Sequence, residues 1–215
     1  MSIRKHAFAE DNYYHIYAHA IGDMPLFRNK RDYERFLHTL FIANDRDNLP
    51  RLDRLSGLNK ILDIKNGKAM IEKPLVDIVC FCLMKTHFHL ILRERGDSNI
   101  SKFMHKLMVS FAKYINIKYQ RRGHVFESKF NSKILDSNEY LLRASSYIHL
   151  NSKDFEEWRH KEHQYPWSSY QDYLGTSRWG ALLKYSTVLS QFKNKSEYRK
   201  FVEETRSEID GYLDQ

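Results

Sequence analysis

The chain has no apolar run long enough to cross a bilayer and only two cysteines among its 215 residues. A membrane-spanning helix needs about 20 consecutive apolar residues, so no span is predicted. The first residues lack the apolar segment of a signal peptide, and there are no internal repeats or low-complexity tracts. Cys80 and Cys82 share one face of a predicted strand, a poor arrangement for a mutual disulfide. These absences predict a cytoplasmic protein.

The composition that is present indicates a folded, basic protein. Apolar residues make up 42% of the chain and aromatic residues 14%, which is enough to bury a core and argues against disorder. A net charge of +8 and an isoelectric point near 9.3 favour a polyanionic partner, with nucleic acid as the first candidate. Charge alone does not identify that partner.

Hydrophobic periodicity predicts the order strand, helix, strand, strand, helix, strand, helix. The first six elements match the βαββαβ pattern of a ferredoxin-like antiparallel sheet, an α+β fold, and the seventh adds a further helix. Ser98 is a predicted cap of the second helix, and Ser137 or Asp136 is a predicted cap of the third. We expect one domain over residues 1–175, with an insertion or long connection at 45–73, and a helical C-terminal extension over 176–215. The predicted strands lie near residues 13–20, 75–84, 84–92 and 129–135, and the helices near 29–44, 99–120 and 137–151.

The triplet His87-Phe88-His89 is the most informative motif. Alternate side chains of a strand point to the same face, so both imidazoles lie on one side, with their Cα atoms about 7 Å apart. Such a pair can hold one divalent ion. In a chain with 11 histidines, however, an H-x-H pair can also be incidental.

A second candidate lies on the last predicted helix of the domain. Tyr147 and Asn151 are four residues apart and therefore share one helix face. The amide of Asn151 can supply a third metal ligand, and the phenol of Tyr147 can act as a nucleophile on a phosphate. A surface Tyr-Asn pair without catalytic function is the other interpretation. Tyr140, seven residues earlier, falls on roughly the same face.

Zinc binding is an alternative for the histidine pair. If Lys85-Thr86 forms a two-residue turn, Cys82 lies opposite His89, and Cys80 follows on the same face. The C-x-C spacing nevertheless differs from the usual zinc knuckle. A nucleotide hydrolase with three alternating histidines would need a histidine at position 91, which is occupied by Ile91.

Taken together, these residues resemble those of the single-tyrosine HUH transposases, in which two histidines flank a bulky apolar residue. The REP-associated tyrosine transposases, which act on repetitive extragenic palindromes, are the most similar subgroup. The resemblance covers about residues 10–175. It is carried by Tyr14-His15-Ile16-Tyr17, Leu26-Phe27, Met84-Lys85-Thr86-His87-Phe88-His89-Leu90, Gly123-His124-Val125-Phe126-Glu127-Ser128-Lys129-Phe130, Tyr140-Leu141, Tyr147-Ile148-His149-Leu150-Asn151, Tyr165-Pro166-Trp167-Ser168-Ser169-Tyr170 and Gly175.

The resemblance implies a mechanism and a substrate. His87, His89 and Asn151 would bind Mg²⁺ or Mn²⁺, and Tyr147 would attack single-stranded or hairpin DNA to give a 5′-phosphotyrosine link and a free 3′-hydroxyl. Attack by a 3′-hydroxyl would later rejoin the strands. Related replication initiators use two tyrosines, so Tyr140 is a possible second nucleophile. The resemblance is compatible with a monomer or a homodimer.

The chain departs from the family just before the first histidine, where Lys85-Thr86 replaces the usual Pro-Asn. We expect Lys85 to approach a DNA phosphate there. Two alternatives remain open: a domesticated protein that binds DNA hairpins without cleaving them, and a two-tyrosine nuclease of the replication-initiator type. Further candidate DNA contacts, which are equally typical of a solvated face, are Lys102, Lys106, Lys113, Lys118, Arg121, Arg122, Lys129 and Lys133.

Overall fold

Four strands form one antiparallel sheet in the computed structural model, which describes residues 7–47, 55–96 and 98–207. The spatial order β2-β3-β1-β4 is that of the predicted ferredoxin-like fold, so the predicted fold class is confirmed. The start of the chain, part of the predicted insertion (48–54), Asp97 and the end of the extension (208–215) lie outside the described residues. The strands are β1 Tyr13–His19, β2 Val76–Leu83, β3 His87–Glu94 and β4 Asn131–Leu135.

Helices connect and cover these strands in the described part of the chain. The described part of the predicted insertion contains the helix Leu55–Lys65, whose Ile61 and Ile64 are buried. Short 3₁₀ turns also occur, the first at Asn151–Asp154. The α-helices are α1 Lys30–Ala43, α2 Leu55–Lys65, α3 Asn99–Lys118, α4 Asn138–Leu150, α5 Tyr170–Leu174, α6 Ser186–Leu189 and α7 Lys195–Glu204.

The tight turn between β2 and β3 fixes which side chains share a face. The backbone N–H of Met84 donates to the carbonyl of His87 at 2.8 Å, so Lys85-Thr86 is a two-residue connection. Phe88 therefore points away from its neighbouring histidines. It packs on Phe36 of α1, which in turn contacts Phe111 of α3. Helices α1 and α3 thus cover one side of the sheet, and the histidines lie on the other.

The helix starts are only partly those predicted. Ser137 caps α4, because its Oγ accepts a hydrogen bond from the N–H of Tyr140 at 3.1 Å. The prediction that Ser98 caps α3 is wrong: Ser98 has a left-handed backbone (φ 56°) and makes no side-chain cap. The carboxylate of Glu94 caps α3 instead, accepting from the N–H groups of Asn99 (3.1 Å) and Ile100 (3.0 Å).

The C-terminal segment packs onto the domain rather than extending from it. Tyr198 and Val202 of α7 are fully buried, and so is Val188 of α6. Arg206 forms a two-pronged ion pair with the buried Glu162, with N–O distances of 2.7 and 2.9 Å. These contacts make the segment part of the structure that surrounds α4.

Candidate active site

One side of the sheet, which we call the histidine face, carries His15, Tyr17 and His19 of β1 and His87 and His89 of β3. The antiparallel register pairs Tyr17 with His89 and His19 with His87, so these side chains stand together on one side. The rings of His87 and His89 lie 5.1 Å apart and perpendicular to each other. The two histidines of the predicted H-x-H pair therefore lie on one face of the sheet, together with polar residues of β1.

His89 forms the buried end of this site. Its side chain is only 5% exposed, and its Nδ1 lies 2.9 Å from Nε2 of His15, which is also buried. Burial, reinforced by the neighbouring histidines, holds the pKa of His89 well below its usual range. Burial likewise lowers the pKa of His15 to about 3, helped by the charge of Lys133. Both rings are therefore neutral near pH 7, as metal ligation requires.

His87 lies nearer the surface and contacts three polar neighbours. Its Nδ1 is 3.2 Å from Oγ1 of Thr86, and its ring stacks on that of His19 with centroids 4.7 Å apart. Burial lowers the pKa of His87 to about 4, as does the charge of His19, and a hydrogen bond between the ring and the Asn151 side chain partly offsets this. Asn151 thus reaches the first histidine of the pair.

Helix α4 brings Tyr147 to the second histidine. The Tyr147 ring stands edge-on to His89, with centroids 5.7 Å apart and planes at 89°, and edge-on to His15 at 6.0 Å. Asn151 follows on the same side, one turn further along, and is 6% exposed. Tyr140 lies two turns earlier, about 10 Å along the helix axis. The four predicted site residues, His87, His89, Tyr147 and Asn151, therefore meet at one place.

The opposite side of α4 is fixed by polar contacts to the C-terminal segment. The fully buried His149 has Nδ1 at 2.7 Å from the hydroxyl of Tyr198 and Nε2 at 2.9 Å from Oγ of Ser169. One turn earlier, the hydroxyl of Ser146 hydrogen-bonds that of Thr205. Because His149 and Tyr147 are two residues apart, these bonds also fix the direction in which Tyr147 points.

The predicted DNA contacts are distributed over both sides of the sheet. Lys133 pairs with His15 in the register and so lies on the histidine face, while Lys85 is exposed in the turn two residues before His87. The ammonium of Lys118 instead forms an ion pair with the buried Asp32. Helix α3, on the other side of the sheet, carries Lys102, Lys106, Lys113 and Lys118, and the connection from α3 to β4 carries Arg121, Arg122 and Lys129.

The cysteines do not complete a zinc site. Cys82 does pair with His89 in the register, as the two-residue turn implies, but burial raises the pKa of both thiols. Within residues 7–47, 55–96 and 98–207, no three His, Cys, Asp or Glu side chains converge to hold a metal. An ion bound by His87 and His89 would therefore need oxygen ligands from elsewhere. The amide of Asn151 and the oxygens of a phosphate can supply them.

Sequence reasoning assigned no role to several residues of the histidine face. His15, Tyr17 and His19 occupy alternate positions of β1, and Thr86 precedes the first histidine directly. The alternation Tyr-x-His-x-Tyr-x-His over residues 13–19 was the available signal, because it puts four polar rings on one face of a strand. Their contacts with His87 and His89 depend on strand pairing, which the sequence does not display.

A match between the sequence and a family model identifies the family of the chain. The sequence model described as "Transposase IS200 like" matches residues 35–151, which is more than half of the chain and includes all four predicted site residues. The chain belongs to the IS200-like transposase family. This IS200-like transposase also has the fold of a solved structure, that of a REP-associated tyrosine transposase bound to a REP hairpin. The likeness has a TM-score of 0.57 and 13% sequence identity, and it covers 80% of this chain and 84% of the other.

Two negative findings accompany these matches. No curated protein sequence matches this IS200-like transposase significantly. Among the helices that the structure describes, none combines the length and the apolar character that a bilayer crossing requires. The family assignment therefore stands on the sequence model and, for the fold, on the solved structure.

Proposed function

We propose that this IS200-like transposase is a metal-dependent single-strand DNA endonuclease and strand transferase that acts on hairpin DNA. The observation that carries the proposal is the meeting of Tyr147 with His89, and of Asn151 with His87, at one surface. A nucleophile beside a set of neutral metal ligands suits phosphodiester transfer. The family assignment supports the same reaction class.

In the proposed reaction, the phenol oxygen of Tyr147 attacks the phosphorus of the scissile phosphate. The phenol loses its proton as a bond forms between the tyrosine oxygen and the 5′-phosphate. The bond to the 3′-oxygen breaks, and that oxygen takes up a proton and leaves as a 3′-hydroxyl. The energy of the phosphodiester is kept in the phosphotyrosine. A 3′-hydroxyl can therefore reverse the step and join strands without nucleotide hydrolysis.

His87, His89 and Asn151 would hold a Mg²⁺ or Mn²⁺ ion in this reaction. When bound, the ion would neutralise charge on the non-bridging oxygens of the phosphate. The two histidines contribute neutral nitrogen donors from a rigid strand. The amide of Asn151 sits at the start of a 3₁₀ turn that continues α4, so the third donor and the nucleophile move together.

Hairpin DNA is the substrate that we propose. The solved structure with the same fold is bound to a REP hairpin, and the net charge of +8 suits a polyanion. Lys133 on the histidine face and the exposed Lys85 are two basic residues in position to contact DNA beside the site. Helix α4 packs on the sheet of its own chain, which brings Tyr147 to His89. We therefore propose that one copy of the protein contains a complete site.

A denaturant-stable protein–DNA adduct tests the nucleophile. The wild type, incubated with Mn²⁺ and REP-type hairpin oligonucleotides, is expected to give a covalent band on a denaturing gel, and Tyr147→Phe is expected to give none. Tyr140→Phe is the matched control and should retain the first adduct. Adduct formation by Tyr147→Phe at the wild-type level would refute the assignment. Hairpin binding without any adduct would favour the non-catalytic alternative, and loss of only a second transfer in Tyr140→Phe would favour the two-tyrosine alternative.

A further inference from the structure

Each histidine of the pair is engaged through the same ring nitrogen. Nδ1 of His89 lies 2.9 Å from Nε2 of His15, and Nδ1 of His87 lies 3.2 Å from Oγ1 of Thr86. The two partners come from different elements, the middle of β1 and the turn before β3. These two partners leave Nε2 open on both rings, and on His87 the ring is also hydrogen-bonded to the side chain of Asn151, the proposed third metal ligand.

We infer that His15 and Thr86 are positioning residues that keep the protons of His89 and His87 on Nδ1 and so leave both Nε2 lone pairs for a divalent ion. The inference rests on the proposed function, because it assumes that the two histidines bind metal. A neutral imidazole ligates through its unprotonated nitrogen, and the hydrogen bond made by the other nitrogen selects the tautomer. In the inferred tautomers, Nε2 of His15 and Oγ1 of Thr86 accept those bonds.

The buried position of His15 supports a role beyond packing. The side chain is 3% exposed, and its own Nδ1 has no hydrogen-bond partner in the described part of the chain. A buried polar nitrogen without a partner destabilises a fold, so an apolar side chain would suit the core better there. What the imidazole provides is the acceptor at Nε2. The His15 ring also contacts Tyr147 edge-on, so His15 touches both the proposed metal ligand His89 and the proposed nucleophile.

Thr86 is held in place by its backbone, although it lies in a turn. Its carbonyl oxygen accepts a hydrogen bond from the N–H of Ala20 at 2.8 Å, which ties the turn to the end of β1. This bond and the hydrogen bond from Met84 N–H to the carbonyl of His87 close the turn, so the Thr86 hydroxyl is held beside His87. A valine has nearly the same shape as threonine without the hydroxyl, and a serine keeps the hydroxyl, so the position offers a matched pair of variants.

The tautomers of the metal-free protein give a direct test. Long-range ¹H–¹⁵N correlation spectra distinguish the two neutral forms of each imidazole. We expect the Nδ1–H form for both His87 and His89 in the wild type. His15→Leu should shift His89 toward a mixture and leave His87 unchanged, while Thr86→Val should do the reverse. An Nε2–H form in the wild type, or tautomers insensitive to both substitutions, would overturn the inference.

Mn²⁺ affinity, followed by the electron paramagnetic resonance signal of the free ion, gives the second test. His15→Leu and Thr86→Val are each expected to weaken binding about 10- to 100-fold, as is typical for the partners of metal-ligating histidines. His15→Gln and Thr86→Ser, which keep an acceptor, should recover most of the affinity. His38→Leu, on α1 across the sheet, serves as a control for the loss of a half-buried imidazole.

The outcomes separate this inference from the proposed function. If His87→Ala abolishes Mn²⁺ binding while His15→Leu and Thr86→Val bind like the wild type, the metal site stands and the positioning roles are refuted. If the wild type binds no Mn²⁺, or His87→Ala binds it equally well, the metal site itself is refuted, and the inference with it.

Metal-free thermal melting of each variant checks folding: an affinity loss in His15→Leu without a lower melting temperature supports the inference. If His15→Leu does not fold, His15→Gln decides, since failure to restore Mn²⁺ binding in a folded His15→Gln would refute the role.

Discussion

The hydroxyl of Tyr198 lies 2.7 Å from Nδ1 of His149, and this contact joins the C-terminal helix α7 to the helix that carries Tyr147. The same hydroxyl is 3.2 Å from Oγ of Ser145, so it contacts two residues that lie one turn apart on the buried side of α4. Both Tyr198 and His149 are fully buried. The C-terminal segment therefore helps to hold the candidate nucleophile against the sheet.

Removal of that hydroxyl is expected to destabilise the protein. Tyr198→Phe leaves Nδ1 of His149 without its buried partner, and an unpaired buried polar group costs about 1–3 kcal/mol. We expect a loss of that size in the free energy of unfolding, measured by urea denaturation. Tyr185→Phe removes the same atom from a half-exposed ring and should have little effect. Equal stability of Tyr198→Phe and the wild type would show that the contact contributes nothing.

The buried carboxylate of Asp32 is expected to support the start of α1 and its packing on α3. It accepts hydrogen bonds from the hydroxyls of Tyr114 (2.8 Å) and Tyr119 (2.6 Å) and from the ammonium of Lys118. Hydrogen bonds to a charged group contribute about 1.5–3 kcal/mol, so Asp32→Asn should lower the free energy of unfolding by an amount in this range. Chemical denaturation at pH 7 measures it.

The contribution of Asp32 is also expected to depend on pH. Burial raises the pKa of its carboxyl, but hydrogen bonds from Lys118, Tyr119 and the backbone of Arg28 outweigh burial, and the net pKa is lowered. A carboxyl with a lowered pKa stabilises the fold fully above its ordinary pKa, about 3.9, and loses this effect as the pH falls through the folded-state value. The stability difference between wild type and Asp32→Asn should therefore be constant from pH 7 to pH 5 and shrink below pH 4. A difference that grows in acid would contradict this account.

Lys133 is expected to contact a DNA phosphate, because it faces the same side as His15. Each phosphate contact contributes about 0.7 to the slope of log affinity against log salt concentration for single strands, and about 0.9 for duplex DNA. Lys133→Gln should reduce the slope for hairpin binding by about this amount, measured by fluorescence anisotropy at several salt concentrations. Lys106→Gln is the matched control, since the Lys106 ammonium donates to the carbonyl of Asp45. An equal reduction in both variants would indicate a general charge effect.

Metal removal is expected to separate cleavage from binding. Charge stabilisation by a metal ion contributes several kcal/mol, so EDTA should slow adduct formation more than about 100-fold. Mn²⁺ should restore the rate in the wild type but not in His87→Ala, and hairpin affinity should change little in either case. Gel assays of adduct and complex on the same samples measure both quantities. An undiminished rate in EDTA would show that the reaction needs no metal ion.

Much of the candidate site could be predicted because its parts follow local rules. The two-residue period of a strand places His87 and His89 on one face, and the four-residue spacing on a helix places Tyr147 beside Asn151. The cap at Ser137 is equally local, since its bond spans three residues. The prediction that Ser98 caps α3 failed because Ser98 has a left-handed backbone, and the carboxylate of Glu94 at the end of β3 accepts the N–H groups of Asn99 and Ile100 instead.

The sequence by itself determined the order of the four strands and of α1, α3 and α4, and which side chains share a strand or helix face, because these properties depend on neighbours within a few residues. Only the tertiary structure decided which faces meet. It placed Tyr147 edge-on to His89, brought His15 to the Nδ1 atom of His89, and buried Tyr198 against His149. These contacts depend on strand register and helix docking, which are set by the packing of residues far apart in the chain.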